Sequence, residues 1–469
     1  MTNNDSSEFR LRRAKVVRAA LHKYFRHLVG KHFTDRTAEL GVLRDFFEPF
    51  SGRSGDPSPT VPPLVISGPG GIGESTLVAR FLLENDELED SHFSFIDFER
   101  PGFAEEPLEL IREAALQLSL PNPLAVRGVL LGAQMPLIER EEFRHEEVLV
   151  HDFCSSVNVV AAKMPILIVL DSIETVQIRG ARAMQRLRSL LDRLQQNAPA
   201  LRIILISRLP INEFRTQNLQ LGEFGRGEAV QLMKRFGFDE STSVRLVQQI
   251  GGNPLTLTLA ANIPRPENGD PNGLNMLEIS EVLKTPDMTS VQSALLSRVL
   301  AHIENPEIRK LASAGLIVRR ITPEVILAVL AEPCGLSVLT LQSAQSLFRL
   351  LEREVWVTSI ALDGSLQFRV ELRRMLLGHV GRNQPEMVQS IHENAIRYYE
   401  TKSDCGSRAE ELYHRLVLEQ TASELDARWI AGIGPLLASS LDEFPSSSRE
   451  YLRVQLEQKT DRLSQQFEE

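Results

Sequence analysis

Cysteine is scarce in this sequence: Cys154, Cys334 and Cys405 are the three in 469 residues. Their number and wide spacing exclude a disulfide framework and form no zinc-ligand pattern. Long apolar runs are also missing, and none approaches the ~20 residues of a membrane span. A basic segment, Phe9–Lys31, stands near the N-terminus, but no uninterrupted apolar stretch with a small-residue cleavage site follows it. A secretory signal is therefore not expected, and the simplest expectation is a reduced, cytoplasmic protein. Basic charge is in deficit, with Lys plus Arg 52 against Asp plus Glu 62 and a net charge of −10. That balance disfavours wholesale coating of nucleic acid, while leaving room for a local basic patch. Hydrophobic residues at 42% and charged residues at 24% are ordinary globular proportions, which excludes a wholly disordered or fibrous chain. At ~150 residues per domain, the length allows roughly three domains.

What is present is ordered along the chain. Phe9–Lys31 holds eight Lys or Arg and no acid, and Ala14, Val17, Leu21, Tyr24, Phe25 and Leu28 recur at the spacing of one helix face. Asp35–Phe47 reads as a second amphipathic helix, and the loop SGRSGDPSPTVPP spans Ser51–Pro63. Four apolar runs follow, at Leu64–Ser67, Phe93–Phe98, Pro165–Leu170 and Leu201–Ile206, separated by helical patterns such as Glu74–Leu83, Pro107–Leu118 and Ala181–Gln195. Continuous apolar strands alternating with helices predict an α/β fold with a parallel sheet covered on both faces. Gly225–Ala261 is helical only, and Ile263–Gly273 is a second loop. Further helices then lead to two short strands, Val355–Ser359 and Leu366–Val370, around the turn Asp363–Gly364, which suggests a winged-helix unit. Gln384–Glu469 is helical, with interruptions near Gly432–Pro435 and Pro445. The expected division is 1–50 for N-terminal helices, 51–222 for a nucleotide-binding domain, 223–275 for a helical lid, 276–382 for the winged helix and 383–469 for a helical C-terminal region.

The most informative segment is LVISGPGGIGESTLVARF, Leu64–Phe81. A strand runs into Gly68-Pro69-Gly70-Gly71-Ile72-Gly73-Glu74-Ser75-Thr76, and a helix follows. Glycines let backbone amides converge on phosphate oxygens, and the helix N-terminus adds its positive dipole. Ser75 is placed to put a hydroxyl on Mg²⁺. One position departs from G-x-x-x-x-G-K-[ST]: Glu74 stands where Lys would neutralise the β and γ phosphates. At ~4 Å and an effective dielectric of ~20, a unit-charge interaction is worth about 4 kcal/mol, and its sign is reversed here. Two origins stay open, a natural degenerate site and a deliberate charge reversal of an active one. The plain alternative is a glycine-rich turn with no ligand.

Three further elements fit the same chemistry. Asp171 closes the apolar strand of PILIVLDSIETVQ, where ligands bind in open parallel sheets, and can hold Mg²⁺ directly or through water. Glu174 can orient an attacking water. For Asp171 the plain alternative is a helix N-cap. Ser207-Arg208 follow the strand of LRIILISRLP, and Arg208 can stabilise γ-phosphate charge or simply pair with a surface acid. Gly251-Gly252-Asn253-Pro254-Leu255 is a helix stop followed by a helix start, which a simple turn between helices also explains.

Together these residues resemble the signal-transduction ATPases with numerous domains (STAND), a branch of the P-loop NTPases, over about Phe33–Met375. Phe33 and Arg36, ahead of Glu39-Leu40, look like the segment that leads into that family's nucleotide domain and packs near the adenine. Gly68–Thr76 matches the Walker A loop except at Glu74, Ile166–Asp171 with Glu174 matches Walker B in its D-x-x-E form, and Arg208 matches the sensor arginine. Pro254 matches the proline that contacts the base in relatives. Relatives often carry a winged-helix His that reads the β-phosphate; the corresponding stretch here, Phe368–Arg374, has none, leaving Arg369 or Arg373 as substitutes.

The resemblance implies ATP or ADP with Mg²⁺ as ligands and a switch that is closed with ADP. Opening exchanges ADP for ATP and assembles protomers into rings or filaments, with an unknown protein as trigger or effector and bacterial stress or phage defence as a setting. Such a switch needs different nucleotide affinities in its two states. Hydrolysis is in doubt through Glu74. The length leaves little room for a full sensor, so the expectation is a truncated form or an unusually short sensor. Two other functions stay open: a winged-helix transcription regulator, and a nucleotide-independent scaffold that keeps the fold. For the basic helix, nucleic acid, an anionic membrane surface and an acidic partner compete with simple packing of an amphipathic helix on the core, which is favoured because few aromatics interleave its charges.

Overall fold

The computed structural model describes residues 3–34, 36–47, 60–86, 92–98, 107–118, 142–162, 166–178, 180–211, 215–263, 288–301, 303, 305–353, 358–361, 364–368, 370–430, 433–438 and 440–465. Asp35, Asp363, Arg369 and most of the two expected loops lie outside them.

Five parallel strands form one sheet: β1 (Leu64–Ser67), β2 (His92–Asp97), β3 (Ile166–Asp171), β4 (Leu201–Ile206) and β5 (Gln217–Gln220). Their spatial order is β2-β3-β4-β1-β5. Side-chain alternation sends successive residues to opposite faces. Val65, Ile96, Ile168, Leu170, Ile203 and Leu205 pack under helices Pro107–Gln117, Glu142–Ala161 and Ala181–Asn197. Leu64, Ile66, Phe93, Phe95, Leu167, Val169 and Ile204 pack under Asn3–Val29, Thr37–Phe47 and Glu74–Asp86. This is an α/β fold, a parallel sheet with helices on both faces. β3 and β4 are buried along their whole length, which is why they read as unbroken apolar runs. β5 is a polar edge strand whose place rests on backbone pairing with β1, and helical or apolar periodicity gives no sign of it.

The carboxyl ends of the strands lie side by side. Asp97 is in register with Asp171, Leu170 with Leu205, and Ile66 with Ile206. Backbone bonds continue this alignment past the strand ends, from Ser207 N to Ile66 O at 3.1 Å and from Ile173 N to Ile206 O at 3.0 Å. Because β4 lies between β1 and β3, the loop after β1 and Asp171 are one strand apart.

Beyond the sheet, helices Arg226–Arg235, Glu240–Ile250 and Pro254–Ala261 are separated by defined caps. Asp239 accepts from Thr242 N at 2.8 Å, Gly251 ends the second helix at φ +81°, and Asn253 caps the third with Pro254 in its first turn. Helices Met288–Ala301, Pro306–Ala314 and Leu341–Glu352 follow, with a two-stranded antiparallel ribbon, β6 (Thr358–Ile360) and β7 (Leu366–Phe368). Ile321 pairs with Leu366 and adds a third short backbone contact to the ribbon. One continuous core runs from Ala229 to Tyr399. The C-terminal helices close a separate core around Leu412, Tyr413, Leu437 and Phe444.

Candidate functional site

The loop after β1 is built by local rules. Ile72 N donates to Pro69 O at 3.1 Å, closing a tight turn, and Leu77 N donates to Gly73 O at 2.9 Å, opening the helix that begins at Glu74. Gly71 and Gly73 have φ of +75° and +98°, a region that side chains make costly. Pro69 and Gly70 are exposed, while Ile72 is buried and anchors the loop.

Glu74 occupies the first turn of the helix and is 7% exposed. Its carboxylate lies in the positive field of the helix N-terminus, the same field that favours a phosphate at such loops. Ser75 and Thr76 follow on the first turn, half-buried.

The segment before the sheet reaches the loop directly. Arg36 is buried and its Nη2 donates to Ile72 O at 3.3 Å and to Gly222 O at 2.9 Å, while Nη1 holds Glu39 at 2.8 Å. Its guanidinium lies 4.5 Å from the Phe224 ring centre. Arg36 therefore ties the loop to the junction between β5 and the following helices. Phe33 packs 5.6 Å from the Arg80 guanidinium, on the helix that Glu74 starts, and its carbonyl accepts from Arg235.

The third helix after the sheet rests on the loop. Leu255 N donates to Gly71 O at 3.3 Å, and Asn253 Nδ2 donates to Gly70 O at 3.3 Å. A Cβ on Gly71 would lie 2.7 Å from the Leu255 side chain, so glycine is required there by contact as well as by φ. Pro254, between these two residues, is half-buried at the start of its helix.

At the ends of β3 and β4 the acids and the arginine meet. Asp171 is buried and accepts from Ser172 N at 2.8 Å. Glu174 is buried beside Arg208, with Oε1 to Nε at 3.5 Å, and accepts from Arg208 N at 3.4 Å. Two residues expected to act separately on a nucleotide thus contact each other.

Asp97 stands in no motif of the sequence, yet it belongs to this group. It ends β2 in register with Asp171, and Ser172 Oγ donates to it at 3.1 Å. Ser172 has φ +63°, a conformation that a non-glycine residue holds only where its surroundings enforce it. Asp97 closes HFSFID as Asp171 closes ILIVLD, and that shared ending is the available signal.

One candidate is placed elsewhere. Arg373, considered as a reader of the β-phosphate, is buried against the C-terminal helices, where it pairs with Glu443 and donates to Tyr413 Oη at 2.8 Å and Leu316 O at 2.8 Å. Its guanidinium is committed to these partners inside a core, away from the loop after β1.

Nothing lies within 4 Å of the position that a Cβ on Gly70 would take, so the loop is open there. The charge of the loop favours a phosphate less, because Glu74 adds a buried carboxylate at the helix start. Among the described residues no group of three or more His, Cys, Asp or Glu is arranged to hold a metal by itself, so a Mg²⁺ would depend on phosphate oxygens for part of its shell.

No protein-family model matches the chain, and no curated protein matches it. Among solved structures it is similar to the signal transduction ATPase with numerous domains from Pyrococcus horikoshii that carries a tetratricopeptide repeat sensor, at 14% identity and TM-score 0.48, over 88% of this chain and 50% of that one. The chain thus spans half the length of that protein. It is also similar to a Walker-type ATPase of Pyrococcus abyssi, at 17% identity and TM-score 0.37, over 73% of this chain and 96% of that one. A third likeness is to Drosophila ORC bound to DNA, at 15% identity and TM-score 0.33, over 78% of this chain and 98% of that one.

Proposed function

We propose that the chain is a nucleotide-responsive switch of the STAND type. The nucleotide domain (51–222) would hold ATP or ADP, the lid (223–275) would report its state, and the winged-helix unit (276–382) and C-terminal helices (383–469) would move with the lid. The observation that carries this reading is the seam between lid and loop. Leu255 N and Asn253 Nδ2 bond to the carbonyls of Gly71 and Gly70, so a change of loop shape on phosphate binding acts on the lid at once. In this reading the loop amides and Ser75 hold the phosphates and Mg²⁺, Asp171 orients the ion's waters, and Arg36 keeps the loop seated. The bound Mg²⁺ would neutralise phosphate charge. Glu174 and Arg208 restrain each other until a nucleotide competes for the arginine. Self-association in the ATP state, as a ring or filament, belongs to the same proposal.

Glu74 supports a second reading, a scaffold that keeps the fold without nucleotide, because a buried carboxylate repels the phosphates that the loop would otherwise hold. A DNA-reading role for the winged-helix unit has less support. The exposed face of Leu341–Glu352 offers Gln342, Gln345, Ser346 and Arg349, a single cation for a phosphate backbone.

Calorimetry with Mg²⁺–ATP and Mg²⁺–ADP, on this chain and on Glu74→Lys, separates the readings. Restoring the cation is expected to tighten ATP binding by at least about 100-fold. An unchanged affinity would remove Glu74 as the defect, and no binding by either protein would leave the scaffold.

A further inference from the structure

We infer that Gln292 is a positioning residue, the second link of a buried polar relay that ties the phosphate loop to the helix Met288–Ala301. The inference deepens the nucleotide reading above and, for its nucleotide arm alone, rests on it.

The first link is Asn253, whose two amide ends face different elements. Nδ2 donates to Gly70 O at 3.3 Å, while Oδ1 accepts from Thr256 N at 3.1 Å and from Thr256 Oγ1 at 3.3 Å, which caps the helix Pro254–Ala261. Turning the side chain away from the loop would uncap that helix. The second link is Gln292, 39 residues further along the chain. Its Nε2 donates to Thr256 Oγ1 at 2.9 Å and approaches Asn253 Oδ1 at 3.4 Å.

All three residues are removed from water: Asn253 is 4% exposed, Thr256 0% and Gln292 7%. Buried amides and hydroxyls must keep their partners, since no solvent replaces a lost bond. A shift of Gly70 is therefore not absorbed locally. It either moves Asn253, Thr256 and Gln292 together or breaks a bond among them.

Gln292 is also a polar residue on an apolar helix face. Its helix contributes Val291, Leu295, Leu296 and Val299 to the core that includes Leu372 and Leu376 of the helix Val370–Asn383. An apolar residue of equal size would pack as well at position 292, so packing does not account for the amide. The relay does: it places a hydrogen-bond donor where the lid's cap and the loop's Asn can both be held.

Two single variants cut the relay on either side. Asn253→Asp keeps the capping oxygen and removes the donor to Gly70, and Gln292→Met keeps length and volume and removes the donor to Thr256. Amide hydrogen exchange of residues 68–77 and 288–301 is measured in the ligand-free chain. ATP and ADP affinities are measured in the Glu74→Lys background. Each variant is expected to speed exchange of the loop amides by about tenfold. Each is also expected to change the ATP-to-ADP affinity ratio by roughly fivefold, a readout that lost packing alone does not move. The double variant should add little to either single one.

Loop exchange unchanged in Gln292→Met, or fully additive effects, would overturn the relay even if nucleotide binds. Coupled exchange with no nucleotide binding in either background would uphold the relay and sink the nucleotide reading. If Gln292→Met fails to fold, Gln292→Leu, which is apolar and lacks the donor, takes its place with the same expected outcome.

Discussion

Gly70 and Gly71 are neighbours in one loop and have opposite tolerances. A Cβ on Gly71 meets Leu255 at 2.7 Å and φ is +75°, whereas nothing lies within 4 Å of a Cβ on Gly70. Gly71→Ala should destabilise the protein by about 1–3 kcal/mol, while Gly70→Ala should stay within about 0.5 kcal/mol, both read from urea unfolding. Adding Leu255→Ala should return part of the Gly71→Ala loss, because it removes the contacts with Cγ and Cδ2 and leaves the Cβ contact and the dihedral share. Equal sensitivity of the two glycines would contradict the packing of Leu255 on the loop. Legibility at this scale follows distance along the chain. The loop, Glu74, Asp171 and Arg208 stand out because each lies within a few residues of a strand end. Asp97 joins Asp171 only through the pairing of β2 with β3, and Gln292 reaches Asn253 across 39 residues. Phe224 under Arg36 is likewise a contact that no local pattern announces.

Among the elements, the basic helix Asn3–Val29 is the one whose role the sequence leaves most open. Its apolar stripe is committed to the core of the parallel sheet. Leu21 and Phe25 are fully buried, and the Phe25 ring stands 5.1 Å from Phe95 and 6.0 Å from Phe93. Its last turns also reach the ribbon-bearing unit, through His27 Nε2 and Thr358 O at 2.6 Å and Lys23 with Glu352 at 3.3 Å. Simple packing thus accounts for the face that carries Val17, Leu21, Tyr24, Phe25 and Leu28. Phe25→Ala should cost about 3–5 kcal/mol in denaturant unfolding. Lys23→Ala removes an exposed ion pair and should cost less than about 1 kcal/mol. A loss of the second size for Phe25→Ala would mean that the helix is only loosely seated. Burial explains which elements were readable. β3 and β4, hidden on both faces, are unbroken apolar runs, and the helix Ala181–Asn197 repeats Met184, Leu187, Leu190, Leu191 and Leu194 on one face. β5, Gln-Asn-Leu-Gln, has no such pattern because its edge position is held by backbone pairing to β1.

For the whole molecule, the ribbon-bearing unit and the C-terminal helices are joined by buried charge. Arg319 holds Glu410 through two bonds of 2.9 and 3.1 Å and donates to Leu436 O at 2.7 Å. Arg373 holds Glu443, and Tyr413 Oη donates to Glu443 at 2.7 Å. Beside them His392 Nδ1 meets His414 Nδ1 at 2.7 Å, with Tyr399 stacked on His414. One ring donates the proton of that bond and the other accepts it. Burial first, and then the Arg373 charge, push His392 down to about 4 from 6.5. Burial and His392 push His414 well below its usual value. The unfolded chain therefore takes up protons at these positions that the folded chain refuses. Their contribution is complete above about 6.5 and is lost as the pH falls from there, toward about 4 for His392 and further down for His414, by up to about 1.4 kcal/mol per pH unit for each histidine. Glu411 acts lower. Burial raises its carboxyl, but hydrogen bonds from Arg428 and Arg415 outweigh that and hold it below 4.5, so its share is lost only as the pH falls beneath that value. Urea unfolding followed by fluorescence between pH 7 and 4.5 isolates the histidine window. Stability should fall steadily across it. In the double variant His392→Gln with His414→Gln the slope should flatten, whatever the variant's absolute stability. A flat profile in the parent chain between pH 6.5 and 5 would mean that the two rings are protonated without opening the joint. The C-terminal helices would then be held to the ribbon-bearing unit by the arginine pairs alone.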